Sequence, residues 1–141
     1  MKKPAFISII SVIAISLLSL LAVGGSSCRR MSDNSKIDGY WKIKEIQYDD
    51  GSVVNPTQKF IAIQLELLQL QDPLCTSALT AVISYHKGDD EIGVDFRYNP
   101  SDELLAQYGF KGAQSVLHID HLSGSRLVLR SSIATIHCQK F

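Results

Sequence analysis

Alternation dominates the pattern of apolar and polar residues along positions 38–141. From Tyr40 to Tyr48, Trp41 and Ile43 share a face opposite Lys42 and Lys44, then Ile46 and Tyr48 take the other parity, so the face changes at Glu45. A period of two marks a strand with one buried side, and a change of parity inside it marks a β-bulge or a sharp coil. FIAIQLELLQLQ behaves alike: Ile61, Ile63, Leu65 and Leu67 alternate with Ala62, Gln64 and Glu66 before Leu68 and Leu70 take over, which predicts one bent strand. Leu, Gln and Glu also suit a helix, but the following segments alternate in the same way and favour the strand. In Thr76 to His86, Leu79, Ala81, Ile83 and Tyr85 share a face; KGDDE then turns the chain into Ile92, Val94, Phe96 and Tyr98. Strands are expected again over Ser115 to His121, Arg126 to Ser131 and Ile133 to Phe141, with LSGS as a tight hairpin connection.

One helix interrupts this series. SDELLAQYGF places Ser101 as N-cap, Asp102 and Glu103 at the positive end of the helix dipole and Gly109 as the stop. Six or seven strands with a single short helix exclude a doubly wound α/β sheet, which needs a helix between most parallel strands. The expected fold class is all-β: a small antiparallel up-and-down barrel with one short helix between its middle strands. A sandwich is the alternative; closure is preferred because it removes the exposed edges of a small open sheet. A membrane-spanning barrel would put Lys42, Lys44, Gln64 and Glu66 on its lipid face, which argues against one. The predicted inward set is bulky: Trp41, Ile43, Ile61, Ile63, Leu65, Leu67, Leu79, Ile83, Val94, Phe96, Leu117, Ile119, Leu127 and Leu129. A small barrel lined this way is filled by its own side chains. The candidate ligand site is therefore an apolar cup at the open end, reached by Tyr48, Tyr85, Phe96 and Phe110.

The amino-terminal region follows a different pattern. Lys2 and Lys3 precede an apolar run from Phe6 to Val23, then Gly24, Gly25, Ser26 and Ser27 lead into Cys28. This arrangement reads as an export signal, with an uncleaved membrane anchor as the alternative. The small residues ending in Cys28 resemble the lipobox of bacterial lipoproteins, in which the Cys becomes the acylated first residue of the mature chain. Gly25 stands where such sequences usually carry an aliphatic residue, and ordinary cleavage after Gly24 or Ser26 is the other outcome. Three regions follow: residues 1–27 as lipoprotein signal peptide, 28–37 as a polar tether and 38–141 as the barrel. Acyl chains contribute about 0.8 kcal/mol per buried CH₂, enough for several to hold a soluble domain on a bilayer. Without the leader, 12 basic residues face 14 acidic ones, a near-neutral balance that gives no footprint for nucleic acid.

Little in the sequence points to chemistry. His118 and His121, three apart in a strand, fall on opposite faces and cannot chelate together. His118 and Asp120 do share a face, as an oriented base would, though exposed polar residues of a strand explain them more simply. Asp89, Asp90 and Glu91 supply too few oxygens for Ca²⁺ by themselves. No metal, cofactor or enzymatic activity is expected. If Cys28 is acylated, Cys75 and Cys138 remain as an even pair in an oxidising compartment, so a Cys75–Cys138 disulfide is a candidate, with two independent buried thiols as the alternative.

Gly39, Tyr40 and Trp41 resemble the G-x-W signature of lipocalins and their bacterial relatives. That resemblance implies a Trp that plugs the closed end of the barrel beneath an Arg from a late strand; Arg126 and Arg130 are the candidates. IDGYWKIKEIQYDDGS, FIAIQLELLQLQ, SDELLAQYGF and HLSGSRLVLRSS are similar to the small lipocalin-like lipoproteins of gut anaerobes, a family whose members mostly lack an assigned activity. The similarity spans nearly all of residues 37–141, without a counterpart of the Thr-Asp-Tyr loop found in lipocalins. The expected protein is a cell-envelope lipoprotein, tethered to a membrane by its lipid on the periplasmic side of the outer membrane. It would bind a small apolar or amphipathic ligand or, in the alternative reading, an envelope protein partner, as an interaction or assembly module with a filled barrel.

Overall fold

The structure is a computed structural model that describes residues 36–74 and 78–141. The leader, Cys28, the tether as far as Ser35, and Cys75 lie outside the described residues. Eight antiparallel strands close a barrel: β1 (Gly39–Tyr48), β3 (Phe60–Gln64), β4 (Leu67–Gln71), β5 (Leu79–Ser84), β6 (Glu91–Phe96), β7 (Gln114–Leu122), β8 (Arg126–Arg130) and β9 (Ala134–Lys140). Each pairs with the next, and β9 pairs back onto β1 from Trp41↔Lys140 to Tyr48↔Ala134. A two-residue strand, β2 (Val53–Val54), pairs with Ile46 and Gln47 of β1. Among the described residues the single helix, α1 (Asp102–Ala106), lies between β6 and β7.

The parity change in the first strand is a β-bulge. Ile43 pairs with Cys138 and Glu45 with His137, so Lys44 is the extra residue and Ile46 returns to the interior. A second bulge, between Ile119 and His121, bends β7 against β8. These bends supply curvature that a closed sheet of eight strands requires.

The parity change in FIAIQLELLQLQ has another cause. The segment is a hairpin rather than one bent strand: Gln64 pairs with Leu67 and Ile63 with Leu68 across a two-residue turn at Leu65 and Glu66. Ile61, Ile63, Leu68 and Leu70 point inward, whereas Leu65 and Leu67, expected inside, are 48% and 47% exposed. Leu65 has φ 56°, a left-handed conformation that costs an L-residue about 1–2 kcal/mol. No Gly, Asn or Pro marks this turn, so local turn chemistry gave no signal of it.

Inward side chains fill the interior. Trp41, Ile43, Ile46, Ile61, Leu68, Leu70, Ala81, Ile92, Leu117, Leu127, Leu129, Ala134 and Ile136 all have no accessible surface. An internal void large enough for water would appear as accessible area on the residues lining it, so the space these side chains bound is close-packed.

Candidate functional site at the two barrel ends

A closed barrel can work through a mouth, so the two ends decide what this one can do. At one end stand the start of β1, the end of β9 and the hairpin tips β3–β4, β5–β6 and β7–β8; this is the Trp end. At the other stand the end of β1, the starts of β3, β5, β7 and β9, and α1; this is the helix end.

The Trp end is closed by a clamp. Trp41 is fully buried and its indole Nε1 donates to the Ile37 carbonyl at 2.7 Å. Ile37, placed in the tether by the sequence pattern, is itself buried in the core. The cation over the indole is Lys140, its Nζ 4.9 Å from the ring centroid and donating to the Asp38 carbonyl at 2.9 Å. The expected Arg126 and Arg130 do not take this place. Leu127 and Leu129 hold the inward positions of β8, so both arginines point out; Arg130 binds Asp120, Nε to Oδ2 at 3.0 Å, on the outer wall. Lys140 lies on the inward parity of β9 with Ile136 and Cys138, directly opposite Trp41.

Gly39 makes this clamp feasible. A Cβ there would lie 2.5 Å from Lys140 Cε, and its φ of +147° suits only glycine. The glycine two residues before the Trp, on the same strand face, leaves open the path along which the lysine stem reaches the indole. In this chain that is the physical content of the G-x-W spacing.

The helix end is closed by a plug inserted from the middle of the chain. Ser101 Oγ caps α1 by accepting from Leu104 N at 3.3 Å. Leu105, Tyr108 and Phe110 of the helix and following turn are buried, Phe110 edge-on to Phe96 with ring centroids 5.7 Å apart. Gly109, φ +81°, sets its backbone directly on the barrel: a Cβ there would fall 2.8 Å from Ile136 Cγ1. Polar bonds fasten this segment to the rim. Tyr48 OH donates to the Ala106 carbonyl. Ser131 Oγ donates to the Gly109 carbonyl at 2.6 Å. Lys59 Nζ lies 4.3 Å above the Tyr108 ring and 3.7 Å from Asp72 Oδ2. Burial raises the Tyr48 phenol above its ordinary pKa, with the Asp50 charge adding to the effect.

The expected cup therefore does not assemble. Phe96 and Phe110 are buried inside the plug and Tyr48 is bonded beneath it, whereas Tyr85, beyond the other end of β5, stands half-buried at the Trp end. The residue that sequence reasoning missed at the Trp end is Lys140, although the run Ala134, Ile136, Cys138, Lys140 carried the parity that reveals it.

Other candidate groups fall outside both ends. Cys138 is a free thiol, buried inside the barrel between its partners Ile43 and Leu127, and Cys75, its candidate bridge partner, lies outside the described residues. Burial pushes this thiol up to about 12, which keeps it protonated. His118 Nδ1 lies 3.1 Å from Glu91 Oε1, on the outer wall, and Asp120 is engaged by Arg130 instead. Among the described residues no group of three or more His, Cys, Asp or Glu side chains is placed to hold a metal, and no helix is long and apolar enough to cross a membrane.

The outer wall at the Trp end carries exposed apolar side chains, Leu65 and Leu67 among them. A cleft of about 1110 Å³ lies between the β3–β4 tip and the start of the β5–β6 connection, lined by Leu65, Leu67, Val82, Tyr85 and Lys87 among others. Farther around the wall, Gly93 leaves a groove of about 460 Å³ between Val82 and Val116.

Comparison with known proteins agrees with this architecture. A family of lipocalin-like domains matches residues 20–141. A crystal structure of a lipocalin-like protein from Bacteroides uniformis superposes with a TM-score of 0.62 at 18% identity, covering 75% of this chain and 99% of that one. An uncharacterized protein from Bacteroides eggerthii superposes with a TM-score of 0.57 at 17% identity, covering 74% and 98%. At such identities the likeness concerns the fold alone. No curated protein matches the chain.

Proposed function

The chain belongs to the lipocalin-like domain family, and from that premise we propose that it is a lipid-anchored module of the cell envelope that works through its outer surface, with the barrel as a solid scaffold. One observation carries this reading: the inward side chains of the core have little or no accessible surface, and both mouths are covered, by Trp41 with Lys140 and by the α1 segment. A pocket that accepts a small molecule is normally largely formed before the ligand arrives, so a filled barrel with two plugs favours contact over carriage. The leader, the small residues before Cys28 and the polar tether support anchorage by an acylated Cys28. Arg29 and Arg30, in place of an acidic run after Cys28, favour the periplasmic face of the outer membrane over surface display. A non-catalytic role fits the engagement of His118 by Glu91 and of Asp120 by Arg130 on the open wall.

Titration with long-chain fatty acids, read by Trp41 emission, tests the solid-scaffold reading. No saturable change is expected; a saturable shift with one site per chain would restore internal carriage. Intact mass of the membrane-extracted chain tests the anchor, which requires a chain beginning at Cys28 and bearing acyl groups.

A further inference from the structure

The β3–β4 tip uses residues that the turn does not need. Leu65 occupies a left-handed conformation that Gly or Asn would adopt with less strain, and it places an apolar side chain half in solvent beside the equally exposed Leu67. Exposed apolar groups grouped around a cleft mark an interaction surface. The position of this tip suggests what it meets. The described residues begin at Lys36 and Ile37 at the same end, where Lys140 Nζ donates to the Asp38 carbonyl. Only eight residues lie between Cys28 and Ile37, nine steps of the chain and a reach of at most about 30 Å.

We infer that the Trp end faces the bilayer and that Leu65 and Leu67 enter its interfacial layer, with the adjoining cleft of about 1110 Å³ turned toward the lipid. This rests on the anchorage at Cys28 proposed above. Charges around this end are mixed, Lys36, Lys87 and Arg126 against Glu66, Asp89, Asp90 and Glu91, so insertion is apolar in character and insensitive to salt. Tyr98, fully exposed at the helix end, points away from the membrane in this arrangement.

The test uses the full lipidated chain in vesicles of phosphatidylcholine and phosphatidylglycerol, with and without bromine-labelled acyl chains. Trp emission is read in Leu67→Trp and Tyr98→Trp variants, and the buried Trp41 signal of the parent chain is subtracted. Bromolipid is expected to lower the Leu67→Trp emission roughly twofold and to leave Tyr98→Trp unchanged, in low and high salt alike. Adding Leu65→Asn to Leu67→Trp is expected to weaken the quenching without lowering Tm, an outcome that a merely structural role for Leu65 would not give. A chain that fails to float with vesicles refutes the anchor, and the docking with it. Flotation with equal or no quenching at the two positions refutes the docking alone. Shielding of Leu67→Trp from aqueous quenchers that rises with protein-to-lipid ratio, without bromolipid quenching, would assign the tip to a second copy and also overturn the proposal.

Discussion

The two ends of this barrel are closed by different means. At the Trp end, a residue of the first strand, one of the last strand and the turn before the first strand meet in a clamp of one indole, one ammonium and two backbone carbonyls. At the helix end, a segment inserted between β6 and β7 lays three buried side chains across the mouth and is fastened by side-chain bonds from Tyr48, Ser131 and Lys59. The first closure depends on a long-range pairing of the chain's two ends; the second is a local plug with replaceable fasteners. The contrast teaches that sealing a small barrel requires apolar volume at each mouth, while the polar groups only hold that volume in register.

Removal of the volume gives the largest expected effect. Trp41→Ala and Phe110→Ala should each destabilise by about 3–5 kcal/mol in urea denaturation. If the closures are independent, the double variant should match the sum to within about 0.5 kcal/mol; strong coupling would mean that the barrel behaves as one indivisible core. Next comes the backbone of the clamp. Gly39→Ala should cost about 1–3 kcal/mol, part of it from displacing Lys140. In a Lys140→Ala background the penalty should shrink, and an unchanged penalty would show that the lysine path is irrelevant.

A fastener matters less. Tyr48→Phe should cost about 1 kcal/mol, the ordinary worth of one hydrogen bond. Because the folded-state phenol titrates above its ordinary value of 10.0, its contribution is complete below that pH and disappears as pH rises through the raised value. The parent chain should therefore lose stability in that alkaline range more steeply than the Phe variant, and equal slopes would remove Tyr48 from the plug's electrostatics. Smallest of all, Arg130→Gln should leave Tm unchanged, since its ion pair with Asp120 lies on the open wall.

Much of this architecture was legible in the sequence because sheets with one buried face print a period of two on the chain. The bulge at Lys44 was readable as a parity change in a run otherwise rich in strand formers. The same sign in FIAIQLELLQLQ misled, because a two-residue turn and a bulge both reverse parity and Leu65 offers none of the residues that usually announce a turn. Trp41 was recognisable from its glycine, but its cation was not. The resemblance directed attention to arginines, while the strand parity that selects Lys140 depends on which residues of β8 and β9 face inward. The helix was recognisable from Ser101 and Gly109; its role as a plug was not, because no local pattern states where Leu105, Tyr108 and Phe110 come to rest.

Closure of the barrel through β1 and β9 also dictates when the fold can exist. The opening strand remains without one of its two neighbours until Ala134–Lys140 has left the ribosome, so no shorter nascent piece owns a complete core. Pairings this distant in sequence form slowly, typically over milliseconds to seconds. Under the envelope location proposed above, such a delay would keep the polypeptide threadable until it had crossed the membrane.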